Sequence, residues 1–205
     1  MIDSKAPRIA ARKFGYNVLL LALVLSAAMT ASSQNGRKTG TISARAMGTS
    51  TQLGQNVDIR IIINQFSTPE DRQVLVDAFK KGQSQGLVAA LSKMKPVGRI
   101  AITGTVGYDL SYIALIPSPT GRRIRFATNR LIRFGEAYTN SQSKAFDLTA
   151  GEFDLNDSDK DKSAGVLYPA CQLIINKEGQ LQFELRKNPW KLVNIIDWDK
   201  VGSKE

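Results

Sequence analysis

Five arginines, Arg122, Arg123, Arg125, Arg130 and Arg133, fall within twelve residues. A guanidinium is a planar fork of donors that matches a carboxylate or phosphate, so such a cluster is chemistry for gripping anions. Ile124 and Phe126 alternate with Arg123 and Arg125. On a strand, burying the apolar pair sends both guanidinium groups to the other face, about 7 Å apart. The plain alternative is a solvated sheet face whose arginines pair with acids on neighbouring strands. A second cluster, Asp154, Asp157, Asp159 and Asp161, offers hard oxygen donors. Asp157-x-Asp159-x-Asp161 resembles the opening of a calcium loop, but Lys162 and Tyr168 stand where that loop needs glycine and glutamate. The cluster reads either as a cation site or as a solvated loop.

Much familiar chemistry is missing. The chain has no histidine, which excludes Ser-His-Asp and Cys-His nucleophile systems and histidine-ligated zinc or copper. Gly82-Gln83-Ser84-Gln85-Gly86 spells a nucleophile elbow, yet it interrupts a helical stripe instead of following a strand. Ser92-x-x-Lys95 spells the S-x-x-K of penicillin-binding enzymes, but here the serine closes a helix and Pro96 follows at once. Glu136, Asp147, Glu152, Glu184 and Asp197 are available for paired-carboxylate glycoside hydrolysis, and nothing in the sequence ranks them. No catalytic residue is assigned and no cofactor is expected.

The elements that must position these residues are mostly strands. Val57, Ile59, Ile61 and Ile63 alternate with Asp58, Arg60, Ile62 and Asn64, the period of a strand with one buried face. Thr68 then offers a helix cap, Pro69 a first helical residue, and Glu70 and Asp71 charges suited to a helix N-terminus. Val74, Leu75, Ala78, Phe79, then Leu87, Val88, Leu91 and Met94 give an apolar stripe interrupted at Gly82 and Gly86 and stopped by Pro96. This is one weakened helix or two short ones with a bend. From Gly98 onward the periodicity is that of strands. It includes a change of phase from Phe146 and Leu148 to Phe153 and Leu155, which predicts a bulge near Gly151. A hairpin is expected around Asn176–Gly179, and a last strand carries Trp190, Leu192, Asn194, Ile196 and Trp198. Strands that cluster rather than alternate with helices predict an α+β domain. The expected architecture is an antiparallel sheet of about eight strands with one N-terminal helical block, or a small barrel. Leu173, Ile175, Leu181, Phe183, Ile61 and Ile63 are the expected core, with the lone Cys171 buried beside them.

The 205 residues are 42% hydrophobic and 22% charged, ordinary globular values. Residues 1–33 read as an export signal: basic Lys5, Arg8, Arg12 and Lys13, then an apolar run from Val18 to Ala31, then small residues that fit cleavage after Ala28 or Ser33. The run is shorter than the roughly 20 residues a spanning helix needs, so the mature protein is expected to hold no membrane span. An uncleaved anchor is the rival reading. Residues 34–56, rich in Ser, Thr, Gly and Gln, read as a flexible linker, and 57–200 as a single domain. Residues 1–33 hold four Lys/Arg and one Asp, a balance of +3, so the remainder carries +7 of the chain's +10.

Pro96-Val97-Gly98-Arg99-Ile100, Gly107-Tyr108-Asp109-Leu110-x-Tyr112, Gly121-Arg122-Arg123-Ile124 and Ala127-Thr128-x-Arg130-x-Ile132-x-Phe134-x-Glu136-Ala137 together resemble a family of small exported bacterial proteins of unknown function. The resemblance covers roughly residues 57–198 and implies an exported domain, with no activity, ligand or catalytic residue attached. The expected protein is therefore periplasmic or extracellular and a non-enzymatic binding module for an anionic cell-envelope component or protein partner. Nucleic acid is not expected as a partner. The alternative is a carboxylate-based hydrolase acting on cell-wall or extracellular glycan.

Overall fold

The computed structural model describes residues 40–132, 147–175, 181–185 and 188–201. The segment expected to direct export, Arg133, Glu136 and the hairpin turn expected around Asn176–Gly179 lie outside these residues, as do the side chains of Leu181 and Phe183. The strands are β1 Gly40–Met47, β2 Asn56–Ile63, β3 Gly98–Ile102, β4 Tyr108–Leu110, β5 Tyr112–Ser118, β6 Gly121–Thr128, β7 Leu148–Asn156, β8 Ala164–Ile175, β9 Leu181–Leu185 and β10 Trp190–Asp197. Helix α1, Pro69–Lys93, joins β2 to β3, and a single turn, α2, covers Trp198–Val201. The spatial order is β4-β3-β2-β1-β10-β8-β7-β6-β5, with β9 also paired to β8. Among the described residues the strand pairings are all antiparallel. The outermost strands, β4 and β5, are consecutive in the chain and meet at Ser111. The sheet thereby curls into a nearly closed barrel.

The antiparallel α+β class stands as expected, with two corrections. The described residues form ten strands, not eight, and the helix follows two strands instead of opening the domain. One extra strand, β1, lies in the stretch read as linker. Ile42, Ala44 and Ala46 point inward and are buried, but alanine carries so little apolar surface that the period of two is faint against Thr41, Ser43 and Arg45. Another arises because the run through Tyr108, Leu110 and Tyr112 breaks at Ser111. Leu110 and Ile113 both pack in the barrel core, whereas Tyr112 packs under the helix.

The barrel interior holds Ile42, Ile59, Ile61, Ile63, Ile100, Leu110, Ile113, Ile124, Phe126, Phe153, Leu155, Leu167, Trp190 and Leu192. The change of phase in β7 has a different cause from the expected bulge. β7 pairs with β6 in unbroken register from Thr149 to Asn156. Phe153 and Leu155 fill the interior, whereas Leu148 sits on the outer face, where α1 covers it. The bulge is in β8: Leu148 pairs with Cys171 and Ala150 with Tyr168, leaving Pro169 and Ala170 opposite Thr149 alone. Proline cannot donate to a ladder and is tolerated at such a place. Thr149 secures it. Its Oγ1 accepts from the Ile132 amide at 3.1 Å and lies within 2.9 Å of the Pro169 and 2.6 Å of the Arg130 carbonyl oxygens. Gly151 faces inward for want of space, since a Cβ there would lie 2.3 Å from Cζ of Phe126.

Helix α1 begins with a capping box. Thr68 Oγ1 accepts from the Asp71 amide, and the Asp71 carboxylate accepts from the Thr68 amide. Of the two helical readings, the structure adopts the bent one. Gly82 and Gln83 leave helical geometry, with Gln83 at φ 48°. A side chain at Gly86 would strike the Ala78 carbonyl oxygen at 2.2 Å, so the two halves approach closely. Leu75, Leu87 and Leu91 pack on Leu148, Cys171 and Leu173. Full burial of one leucine contributes about 1.5–3 kcal/mol. Among the described residues, no helix is long and apolar enough to cross a membrane.

Cys171 is fully buried beside Leu173, as its strand periodicity implies, whereas Ile175, expected in the core, is 52% exposed at the far end of β8. Desolvation pushes the Cys171 thiol from 9.0 up to about 12. Burial also raises Tyr112 and Tyr168. A folded-state value above the unfolded one favours the protonated form. This stabilisation is whole below pH 9 and is lost as pH rises towards about 12, at up to roughly 1.4 kcal/mol per pH unit for the thiol. Urea midpoints at about pH 8 and about pH 10.5 should therefore differ less in Cys171→Ala than in the wild type. Fast reaction of native Cys171 with a thiol reagent at neutral pH would contradict this burial.

Candidate functional site

The structure divides the arginine cluster. Arg123 and Arg125 lie on the outer face of β6, and β7 places Glu152 and Asp154 directly opposite them. Arg123 reaches Glu152 and Asp154 at 3.1 Å each, and Arg125 Nε donates to the second oxygen of Glu152. The Glu152 side chain is only 8% exposed. Both of its oxygens face guanidinium groups, and this interlocked set closes the outer face beside the helix. Arg122 points the other way, across the barrel mouth, and pairs with Asp197 at the end of β10. Arg130 stands apart from all three: it is exposed and, among the described residues, takes part in no ion pair.

The aspartates do not converge either. Asp154 belongs to Arg123, and Asp159 accepts from the Asp161 amide and pairs with Lys162 at 3.2 Å. No group of three or more acidic or thiol side chains that could hold a metal ion occurs among the described residues. Of the candidate hydrolytic carboxylates, Glu152 and Asp197 are held by arginines, and Glu184 accepts from the Gln172 amide. Ser84 is buried, and its Oγ accepts from the Leu173 amide at 3.2 Å, fastening the helix bend to β8. Ser92 Oγ donates to the Ala89 carbonyl within its own helix at 2.8 Å.

A different place offers room for a ligand. A groove of about 350 Å³ runs over the barrel seam, between the end of α1 and the β3–β4 hairpin. Leu91, Met94 and Pro96 form its apolar wall, Ser111 lies at the seam, and Asn129 and Arg130 close one end. Arg99 lines it too, with one amino group on Asp109 Oδ1 at 3.0 Å and the other on the Val106 carbonyl at 3.1 Å. Its Asp109 carboxylate is thus already engaged, while exposed Lys93 and Lys95 flank the apolar wall in sequence. The described residues hold 16 Lys/Arg against 14 Asp/Glu, so bulk charge does not mark this place. Local charge does: two bases, Arg99 and Arg130, line it against one acid, Asp109. The bases are legible in the sequence, whereas the meeting of Arg99 with Arg130 requires the closure of the barrel.

The chain matches no known protein family, no curated protein and no solved structure.

Proposed function

We propose that the chain is an exported, non-enzymatic binding module that engages an anionic cell-envelope component through the seam groove. One observation carries this reading. Arg130 is an exposed cation without a carboxylate partner among the described residues, at the end of a groove whose one lining acid is already bound by Arg99. An unpaired guanidinium is free to fork onto a carboxylate, sulfate or phosphate. The paired Arg123 and Arg125 would first have to release Glu152. Export is supported by the basic, apolar and small-residue pattern of residues 1–33.

The test is salt elution of the full chain from immobilised heparin, used as a polyanion probe. Arg130→Ser/Lys93→Ser/Lys95→Ser should elute at distinctly lower salt than the wild type, because each lost contact removes a screened charge interaction. Elution of both at the same salt would remove the groove from consideration.

A further inference from the structure

The final strand carries a second, independent observation. The sequence alternation places Trp190, Leu192, Asn194, Ile196 and Trp198 on one side, but the structure divides them. Ser43 pairs with Ile196 and Arg45 with Val193, so Asn194 and Ile195 stand opposite Ala44 alone. Asn194 takes φ 51°, a left-handed conformation that asparagine tolerates better than most residues. Before this bulge, Trp190 and Leu192 are buried in the barrel. After it, Ile196 and Trp198 lie outside, 41% and 47% exposed. The Trp198 indole nitrogen donates to Ser43 Oγ at 2.9 Å, which fixes the ring against β1.

Ile62, 38% exposed, occupies the same outer face, across Thr41. Among the described residues, helix α1 packs mainly over β6 and β8, away from this face of β2, β1 and β10, which the single turn α2 borders at β1. Its charges are unequal. Arg45 and Asp58 neutralise one another at 2.8 Å, whereas the exposed Arg60 and Lys191 form no ion pair among the described residues. Gly40, where the described chain begins, packs against Asp199 beside this face. In the sequence, the eight residues 32–39 separate the apolar run 18–31 from Gly40.

We infer that the outer face of β2, β1 and β10 docks on the surface of an anionic lipid bilayer. Ile62, Ile196 and Trp198 enter the headgroup region, and Arg60 and Lys191 meet lipid phosphates. A tryptophan with an apolar body and a polar tip is suited to that boundary. Unpaired cations around a small apolar patch supply the second signal that surface binding needs. The barrel lies on the bilayer instead of spanning it, because its interior is apolar and its exterior bears Arg45, Asp58, Arg99, Asp109, Arg123 and Glu152, the reverse of a lipid-spanning barrel.

The two tryptophans make the test direct, since Trp190 is 1% exposed and Trp198 is the one accessible to lipid. The full chain is mixed with vesicles of phosphatidylcholine alone or with added phosphatidylglycerol. Trp198 emission should shift to the blue and resist acrylamide with the anionic vesicles, and less so at high salt. Ile62→Ser/Ile196→Ser should abolish the shift even when the chain still sediments with vesicles through residues 18–31. Arg130→Ser should leave the shift intact, which separates this docking from the groove. Sedimentation with no change at Trp198 would overturn the inference. A concentration-dependent shift without lipid would do so too, and would identify a second copy as the occupant.

Discussion

Phe153→Ala should lower folding stability by about 3–5 kcal/mol, measured as a loss of urea midpoint at constant slope. Phe153 is fully buried in the middle of β7, and its ring lies 5.8 Å from that of Phe126 in a tilted arrangement. Gly151 offers no side chain to lean into the vacated space, and the unbroken β6–β7 register holds the walls apart. The cavity therefore stays open, and the full cavity cost is added to the lost transfer energy. Leu115 provides the contrast. It pairs with the inward-facing Ile124 but is 41% exposed beside the seam, so Leu115→Ala should cost about 1 kcal/mol or less. Equal losses at the two positions would mean that the barrel is not closed around Phe153.

Glu152→Ala should cost about 3 kcal/mol, through charge and not through packing volume. It leaves the half-buried Arg125 without its carboxylate and reduces Arg123 to its bond with the more exposed Asp154. The expense lies in the stranded guanidinium, so removing that group as well should recover much of it. Glu152→Leu/Arg125→Leu should be markedly more stable than Glu152→Ala. If the double variant is no better, Glu152 contributes by some contact other than its ion pairs, and the set is not the interlocked unit described above.

The sequence displays the strand periodicities of β2 and β6, the capping box of α1 and the burial of Cys171, because each rests on residues close together in the chain. It conceals what depends on partners far along it. The inward face of β1 is faint because Ala44 and Ala46 are small, and it becomes a barrel face only between β2 and β10. Apolar residues change phase in β7 because α1 covers one end of the strand, a tertiary fact with no local signal. Ile196 and Trp198 continue the alternation of β10 on paper, and only the left-handed Asn194 turns them outward. The arginine cluster was legible as composition. Its division into a paired set, a mouth-spanning Arg122 and an Arg130 with no ion pair among the described residues follows from the placement of Glu152, Asp154 and Asp197 by other strands.

The pairing of β1 with both β2 and β10 has a kinetic consequence. Residues 42–47 pair with residues 191–197, almost the full span of the described chain. During synthesis the first strand therefore waits for the last, and closing so long a loop precedes any gain from the contacts it brings. Folding should consequently be slow, on the millisecond-to-second scale of proteins dominated by distant pairings. A chain interrupted before Trp190 would lack one neighbour of β1 and one of β8. It would remain pliable until its final segment emerged.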